Sequence, residues 1–270
     1  MRWVALRVAA PRWACLCEIT GRVEHAVGGT SVLDALELLD GVLVAMPGGA
    51  VGPGEATKLA APDRDRLLAA VYTGTYGPRV ESTVTCESCA SPFDLDFSLD
   101  EFRQQIESSA DANGITADTD GTFATPSGAR FRFPTGADEI AAAGLPMTEA
   151  ATALMRASIP DASDAPDAAV AEFADVVQAG MNAVAPLLQA ELGAVCPECG
   201  AHHEIWFDIQ HYLLSSLLAE QPRLDREIHA LATAYGWGLG EILDLPRRRR
   251  RALVAVATGA SAGVSAWWAS

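Results

Sequence analysis

Two stretches of this chain, "VTCESCASPFDLDF" (Val84 to Phe97) and "VCPECGAHHEIWFD" (Val195 to Asp208), carry the same small device. Each places a Cys-x-x-Cys after an apolar residue and before an alternating, strand-like run. Aligning the copies on Cys86 and Cys196, 110 positions apart, pairs Val84 with Ala194, Phe93 with His203, Leu95 with Ile205, Phe97 with Phe207 and Leu99 with Ile209. The two-residue period predicts a β-hairpin in each copy, and each copy runs directly into a helical stretch. A tight Cys-x-x-Cys turn aims two thiolates at one side of its hairpin, which is half of a tetrahedral zinc site. We read an internal duplication of a zinc-knuckle hairpin, with Cys86, Cys89, Cys196 and Cys199 sharing one zinc. Four cysteines leave no open coordination position, so such a site is structural and not catalytic. Two other readings stay open at this stage: cysteine pairs kept for packing, and separate half-sites completed by other ligands. His202 and His203 lie close enough to be a substitute ligand or to stand just behind the ligands, but their place in the second hairpin reads more simply as exposed. A redox pair is disfavoured, because neither copy sits at a helix N-terminus, where thiolates are activated.

The redox compartment bears on that reading. Met1 to Ala14 has early arginines but no long apolar core or cleavage site, so no export signal is expected. The placement expected is cytoplasmic, and in a reducing cytosol close cysteine pairs point to metal before disulfide. Cys15 and Cys17, with His25 eight residues on, form a weaker cluster that reads as small buried hydrophobes. Ala252 to Trp268 is uncharged and follows five arginines, which imitates a membrane anchor. It is mostly Ala, Gly and Ser at about the minimum spanning length, so a helix fraying into a flexible tail is expected instead.

Elsewhere the pattern predicts an α+β chain: two zinc-knuckle hairpins meeting at one site, a middle β-hairpin, and surrounding helices with a helical C-terminal arm. The expected organisation is an N-terminal strand–helix extension (1–53), a duplicated core (54–221), a C-terminal arm (222–258) and a flexible tail (259–270). Ser31 and Ser98 are predicted helix N-caps, the latter with Glu101 at the capping-box position. Pro62 and Asp63 fit the start of a helix whose apolar stripe is Leu67, Leu68, Val71 and Tyr72. Phe123 faces Phe131 and Phe133 across the middle hairpin, and 168–185 is a long Ala-rich helix ended or kinked by Pro186.

The charge balance excludes some functions. A net charge of −16, with Lys58 the single lysine, repels phosphate backbones. The run Arg247 to Arg251 sits in a helix-turn-helix-like stretch, yet five consecutive arginines point all round a helix and cannot all face one groove. A salt-bridged contact with an acidic protein surface is the better reading of that run. There is no Gly-x-Ser-x-Gly, phosphate loop, His-Glu-x-x-His or dinucleotide fingerprint, so no enzymatic activity or small-molecule substrate is expected.

The ordered set "APDRDRLLAAVYTGTYGPRVESTVTCESCASPFDLDFSL", "FRFPTGADEIAAAGLP", "CPECGAHHEIWFDI" and "REIHALATAYGWGLGEILDLPRRRRRAL" resembles zinc-knuckle baseplate proteins. These are encoded with contractile phage tails and phage-tail-like contractile injection systems, and are often grouped with baseplate hub assembly chaperones. The resemblance covers roughly Gly54 to Leu253. The family's cysteine pairs fall on Cys86, Cys89, Cys196 and Cys199, its "LPTGADE"-like block on Phe133 to Glu139, and its arginine cluster on Arg247 to Arg251. Residues 1–53, with Cys15 and Cys17, have no counterpart, and the C-terminal tail is longer than the pattern. The resemblance implies a non-enzymatic structural or assembly protein of a tail-like particle, partnered by other baseplate, hub or spike proteins and carrying structural zinc. The alternative is a zinc-ribbon regulator touching nucleic acid through its C-terminal helices.

Overall fold

The structure is a computed structural model that describes residues 1–160 and 166–259. It is mixed α and β, with many helices around four small antiparallel sheets. Residues 161–165, and most of the tail expected at 259–270, lie outside the described residues. Among the described residues no helix is long and apolar enough to cross a membrane.

The N-terminal segment builds a three-stranded sheet from β1 (Arg2–Ala5), β2 (Trp13–Leu16) and β3 (Leu43–Val44), with α1 (Gly21–Ala26) and α2 (Val32–Val42) between the last two strands. Ser31 caps α2 in a reciprocal box with Asp34, as its spacing predicts. The following helix α3 (Ala61–Tyr76) has Pro62 in its first turn and is buried along most of its length. One hydrophobic cluster joins Leu36, Leu38 and Leu39 of α2 to Leu67 and Leu68 of α3 and to Leu213, Leu214 and Leu217 of the long helix α8 (Ile209–Tyr235). Residues 1–53 are therefore packed into the main core and not set apart from it.

Most notable is a repeat of whole supersecondary units. Helix α3 leads into hairpin β4 (Arg79–Thr85) and β5 (Pro92–Ser98), then α4 (Leu99–Ser108). Helix α7 (Asp167–Val184) leads into β9 (Gln189–Val195) and β10 (His202–Asp208), then α8. The strand registers coincide at an offset of 110: Arg79 faces Ser98 and Gln189 faces Asp208, while Thr85 faces Pro92 and Val195 faces His202. Ser98 and Asp208, the last strand residues, are both N-caps that accept hydrogen bonds from the first turn of the next helix. The duplication read from the cysteines thus extends through each hairpin to the N-cap of the helix that follows it.

Between the copies lies a second layer. Strands β6 (Thr116–Ala117), β7 (Phe123–Ala124) and β8 (Arg130–Phe131) form a small sheet in which Phe123 pairs with Phe131. Phe133 completes a three-ring cluster that α7 covers through Val177. The predicted hairpin is present, and β6 adds a third strand to it. Helices α5 (Gly136–Ala142) and α6 (Met147–Ser158) follow.

The "PTGADE" block has a local explanation. Thr135 and Asp138 make the capping box of α5, Asp138 also holds Arg132 at 2.7 and 2.9 Å, and Glu139 pairs with the buried Arg64. A Cβ on Gly136 would lie 2.8 Å from Leu36 Cδ1, so the residue must be small for α5 to seat on α2.

Asp65 of α3 is nearly sealed from solvent, and its Oδ2 accepts the Leu188 backbone N–H at 2.9 Å. The equivalent position in the first copy is Pro78, which has no N–H to satisfy. Burial raises the Asp65 carboxyl to about 6 despite nearby Arg64. The folded state therefore binds this proton more tightly than the unfolded chain does. The contribution of Asp65 to stability is greatest below about pH 4 and falls away as pH rises to about 6. Asp65→Asn keeps an acceptor for Leu188 and removes the buried charge. It is expected to raise stability at pH 7 by about 2 kcal/mol and to flatten the slope between pH 4 and 6 in denaturant titrations. A loss of stability at pH 7 would refute that account.

Candidate metal centre

At the tip of each hairpin the backbone closes a turn in which the first cysteine does most of the work. Cys86 N–H donates to Ser91 O at 2.9 Å, and Ala90 N–H donates to Cys86 O at 2.8 Å. In the other copy Cys196 N–H donates to Ala201 O and Gly200 N–H to Cys196 O, both at 2.9 Å. The residue after the second cysteine is left-handed in both turns, with φ of 60° at Ala90 and 72° at Gly200. Glycine adopts that conformation without a Cβ penalty, whereas alanine does so at a cost of about 1 kcal/mol. Ala90→Gly is therefore expected to leave the fold as stable or gain up to about 1 kcal/mol, and Gly200→Ala to lose about 1 kcal/mol. Thermal unfolding of the two variants checks the pair, and matching losses in both would contradict the shared turn geometry.

The two tips meet. Cys86 Sγ lies 3.6 Å from Cys199 Sγ and Cys89 Sγ lies 3.8 Å from Cys196 Sγ, and all four sulfurs fall within 4.8 Å of one another. These separations are far longer than the ~2.05 Å of a disulfide bond. A tetrahedron with metal–sulfur bonds of ~2.3 Å has edges of ~3.8 Å, so the sulfur spacing fits a four-coordinate ion. The first cysteine of each pair is buried and the second exposed. The contacts are reciprocal: the first cysteine of either copy meets the second of the other, Phe97 meets its counterpart Phe207 edge-on at 5.0 Å, and Phe93 meets its counterpart His203 at 5.6 Å. Reciprocity of this kind is what a two-fold relation between the copies produces.

Charge at the tips asks for a cation. The Ser91 hydroxyl holds the Cys89 thiol well below its ordinary range. At Cys199 the Ala201 backbone N–H lowers the thiol, but the neighbouring thiols Cys89, Cys86 and Cys196 together push it well above that range. Four sulfurs this close cannot all ionise unless a positive ion sits among them. Around them is only a small apolar cluster of Cys86, Phe93 and Cys196, flanked by Val84, Ala194, Ala201 and Ile205.

His203 takes the less favoured of its sequence readings, a place just behind the ligands in preference to an exposed one. It is half-buried against Phe93, and its Nε2 lies 3.2 Å from Cys86 Sγ, within reach of an N–H···S hydrogen bond. It stands beside the sulfur cluster, while His202 on the opposite strand face is exposed. The signal was available in the alignment, since His203 occupies the Phe93 position and therefore faces the knuckle. Cys15 is buried in β2, Cys17 packs against the main core, and neither joins the sulfur cluster.

The arginine run also finds its partners, in its own chain. Helix α10 (Arg247–Ala257) lies on α1 and α8, and its arginines enter a group of three glutamates. Arg247 pairs with Glu24 and Glu220; Arg250 pairs with Glu24 and, at 2.8 Å, with Glu227; Arg251 reaches Glu220 at 3.2 Å and Glu227 at 3.3 Å. Arg250 is 1% exposed, and its guanidinium passes so close to Gly21 that a Cβ there would sit 2.8 Å from Nη1. Only Arg248 and Arg249 of the run are exposed. Comparison of the chain with protein-family models, with curated proteins and with solved structures gives no match to any of them.

Proposed function

We propose that this chain is a non-enzymatic structural or assembly protein, locked by one structural zinc, that serves the baseplate of a contractile phage tail or contractile injection system. The observation that carries the zinc is the convergence of four thiols, from hairpins 110 residues apart, at tetrahedral spacing. An all-cysteine donor set suits zinc, which has no geometric preference of its own and binds thiolate strongly. When bound, the ion neutralises the thiolates and ties the two copies into one rigid platform. His203 would donate to the Cys86 thiolate and fix its direction, and Phe93 keeps that side of the cluster dry.

The baseplate role rests on the ordered motifs of the sequence. The structure adds reasons for three of them: the cysteine pairs build the knuckle, the "PTGADE" block seats α5, and the arginine cluster anchors α10. A nucleic-acid role loses support, because Arg247, Arg250 and Arg251 are engaged by carboxylates and only two arginines of the run face outward.

Two measurements test the reading at its two levels. Metal analysis of protein purified without chelator should give one zinc per chain, lost in both Cys86→Ser and Cys196→Ser. Deletion of the gene from its source genome should leave sheathed particles absent or without baseplates by electron microscopy. Zinc with normal, contraction-competent particles would retain the metal site and discard the baseplate role.

A further inference from the structure

The β1–β2 hairpin lies over α3 and α4 and leaves between them an open pocket of about 520 Å³. Five arginines line it, Arg2, Arg7, Arg12, Arg66 and Arg103, against two carboxylates, Asp100 and Glu107. An excess of three positive charges at one place is conspicuous on a chain whose net charge is −16.

These cations are fixed in position but incompletely neutralised. Arg7, Arg66 and Arg103 converge on Glu107 at 3.1 to 3.4 Å, and Arg103 also reaches Asp100 at 3.7 Å. Arg2 is held by the Ala70 carbonyl and Arg12 by the Arg7 carbonyl, and among the described residues neither has a carboxylate partner. Arg66 is 5% exposed, yet its Nη2 makes no hydrogen bond of good geometry. The loop that carries Arg7 is itself pinned: both oxygens of Asp63 accept backbone N–H groups of Arg7, Val8 and Ala9 at 2.6 to 3.2 Å. Trp3 and Trp13, 45% and 49% exposed, also border the pocket, at diagonal positions on the hairpin face opposite the one that carries Arg2.

Preorganised arginines beside half-exposed tryptophans are the residue types that concentrate binding energy at protein interfaces. Guanidinium forks recognise carboxylates in pairs, and indole faces take up neighbouring apolar side chains. We propose that this pocket is a docking site for an acidic peptide segment of a partner protein, with its carboxylates on Arg2, Arg12 and Arg103 and an aromatic or aliphatic neighbour against Trp3 and Trp13. The hairpin that carries Arg2, Arg12, Trp3 and Trp13 lies outside the stretch that the baseplate resemblance covers, and the inference from charge makes no use of that reading.

The test is selection of phage-displayed random dodecapeptides on the full-length, metal-loaded protein. The selected peptides are then synthesised, and their binding is measured by fluorescence anisotropy at about 0.15 M salt. Clones rich in Asp and Glu with an aromatic or aliphatic residue are expected. Their affinity should fall at least tenfold in Arg2→Gln/Arg12→Gln and in Trp13→Ala, and stay unchanged in Arg248→Gln/Arg249→Gln. Replacing the peptide's acids by their amides should abolish binding. Unchanged circular dichroism and melting establish that the variants, all altered at exposed side chains, are folded. The proposal is overturned if no acidic peptides are enriched, if the Arg248/Arg249 variant loses as much affinity as the pocket variants, or if millimolar inorganic phosphate displaces the peptide completely, which would make this a site for small anions.

Discussion

On the proposed shared zinc site, treatment with a chelator is expected to open both hairpin tips together while the helical body stays folded. The tips have little else to hold them. Their apolar cluster contains three buried residues, two of them the cysteines Cys86 and Cys196. Without a cation the clustered thiols must protonate or repel each other. The main core, by contrast, joins α2, α3 and α8 through many buried leucines and does not touch the sulfurs. Structural zinc contributes on the order of 10 kcal/mol in small domains that cannot fold without it. Here that energy is expected to appear as local order. Amide hydrogen exchange should therefore lose protection by several orders of magnitude across residues 84–93 and 194–203 in the apo protein, with α2, α3 and the first half of α8 retaining theirs. Cys86→Ser and Cys196→Ser should reproduce the pattern in both hairpins, because either mutation destroys the one shared site. Protection unchanged by chelator, or lost in only the mutated hairpin, would contradict a shared structural ion.

Arg250→Ala is expected to cost about 3 to 5 kcal/mol, as when one partner of a buried ion pair is removed. The side chain is fully buried and spans Glu24 on α1 and Glu227 on α8, so its loss strands two carboxylates with too few cations. Arg250→Met should be nearly as damaging, since it restores volume but not charge. Adding Glu24→Gln and Glu227→Gln to Arg250→Met should recover a large part of the loss, because the stranded charges go with the cation. Arg249→Ala, at an exposed position of the same helix, should change stability by less than about 0.5 kcal/mol. Urea titration of these four variants separates the two accounts. Equal effects at Arg249 and Arg250 would mean that the cluster acts through general surface charge. Tyr76 belongs to the same assembly: its ring lies under the Arg247 guanidinium at 5.1 Å and its hydroxyl donates to Glu220 at 3.1 Å. Burial raises that phenol far above its ordinary range, so it remains a donor at any pH the protein tolerates.

Local signals in this sequence were read correctly because they depend on neighbours along the chain. The period-two runs after each cysteine pair became β5 and β10, Ser31 and Ser98 became caps, and Cys-x-x-Cys became a tight turn with its left-handed residue at Ala90 or Gly200. The repeat marks the four cysteines as equivalent, and the packing of one hairpin tip on the other is what brings their thiols together.

Other features were decided only by tertiary packing. Pro222 reads as the start of a new element, yet α8 runs through it, because Leu213, Leu217, Leu224 and Leu231 bury one continuous stripe on both sides and hold the helix despite the missing N–H. The arginine run reads as a surface looking for an acidic partner, and that partner proved to be Glu24, Glu220 and Glu227 of the same chain. Glu24 and Arg250 are 226 positions apart, a separation at which charge pattern carries no information about contact. His203 is adjacent to an exposed histidine in sequence, and only the approach of the first hairpin makes it a neighbour of Cys86. By itself, then, the sequence determined the turns, the caps and the repeated unit, all fixed by bonds within a few residues. Which charged groups were buried, and against what, depended on how distant elements met in space.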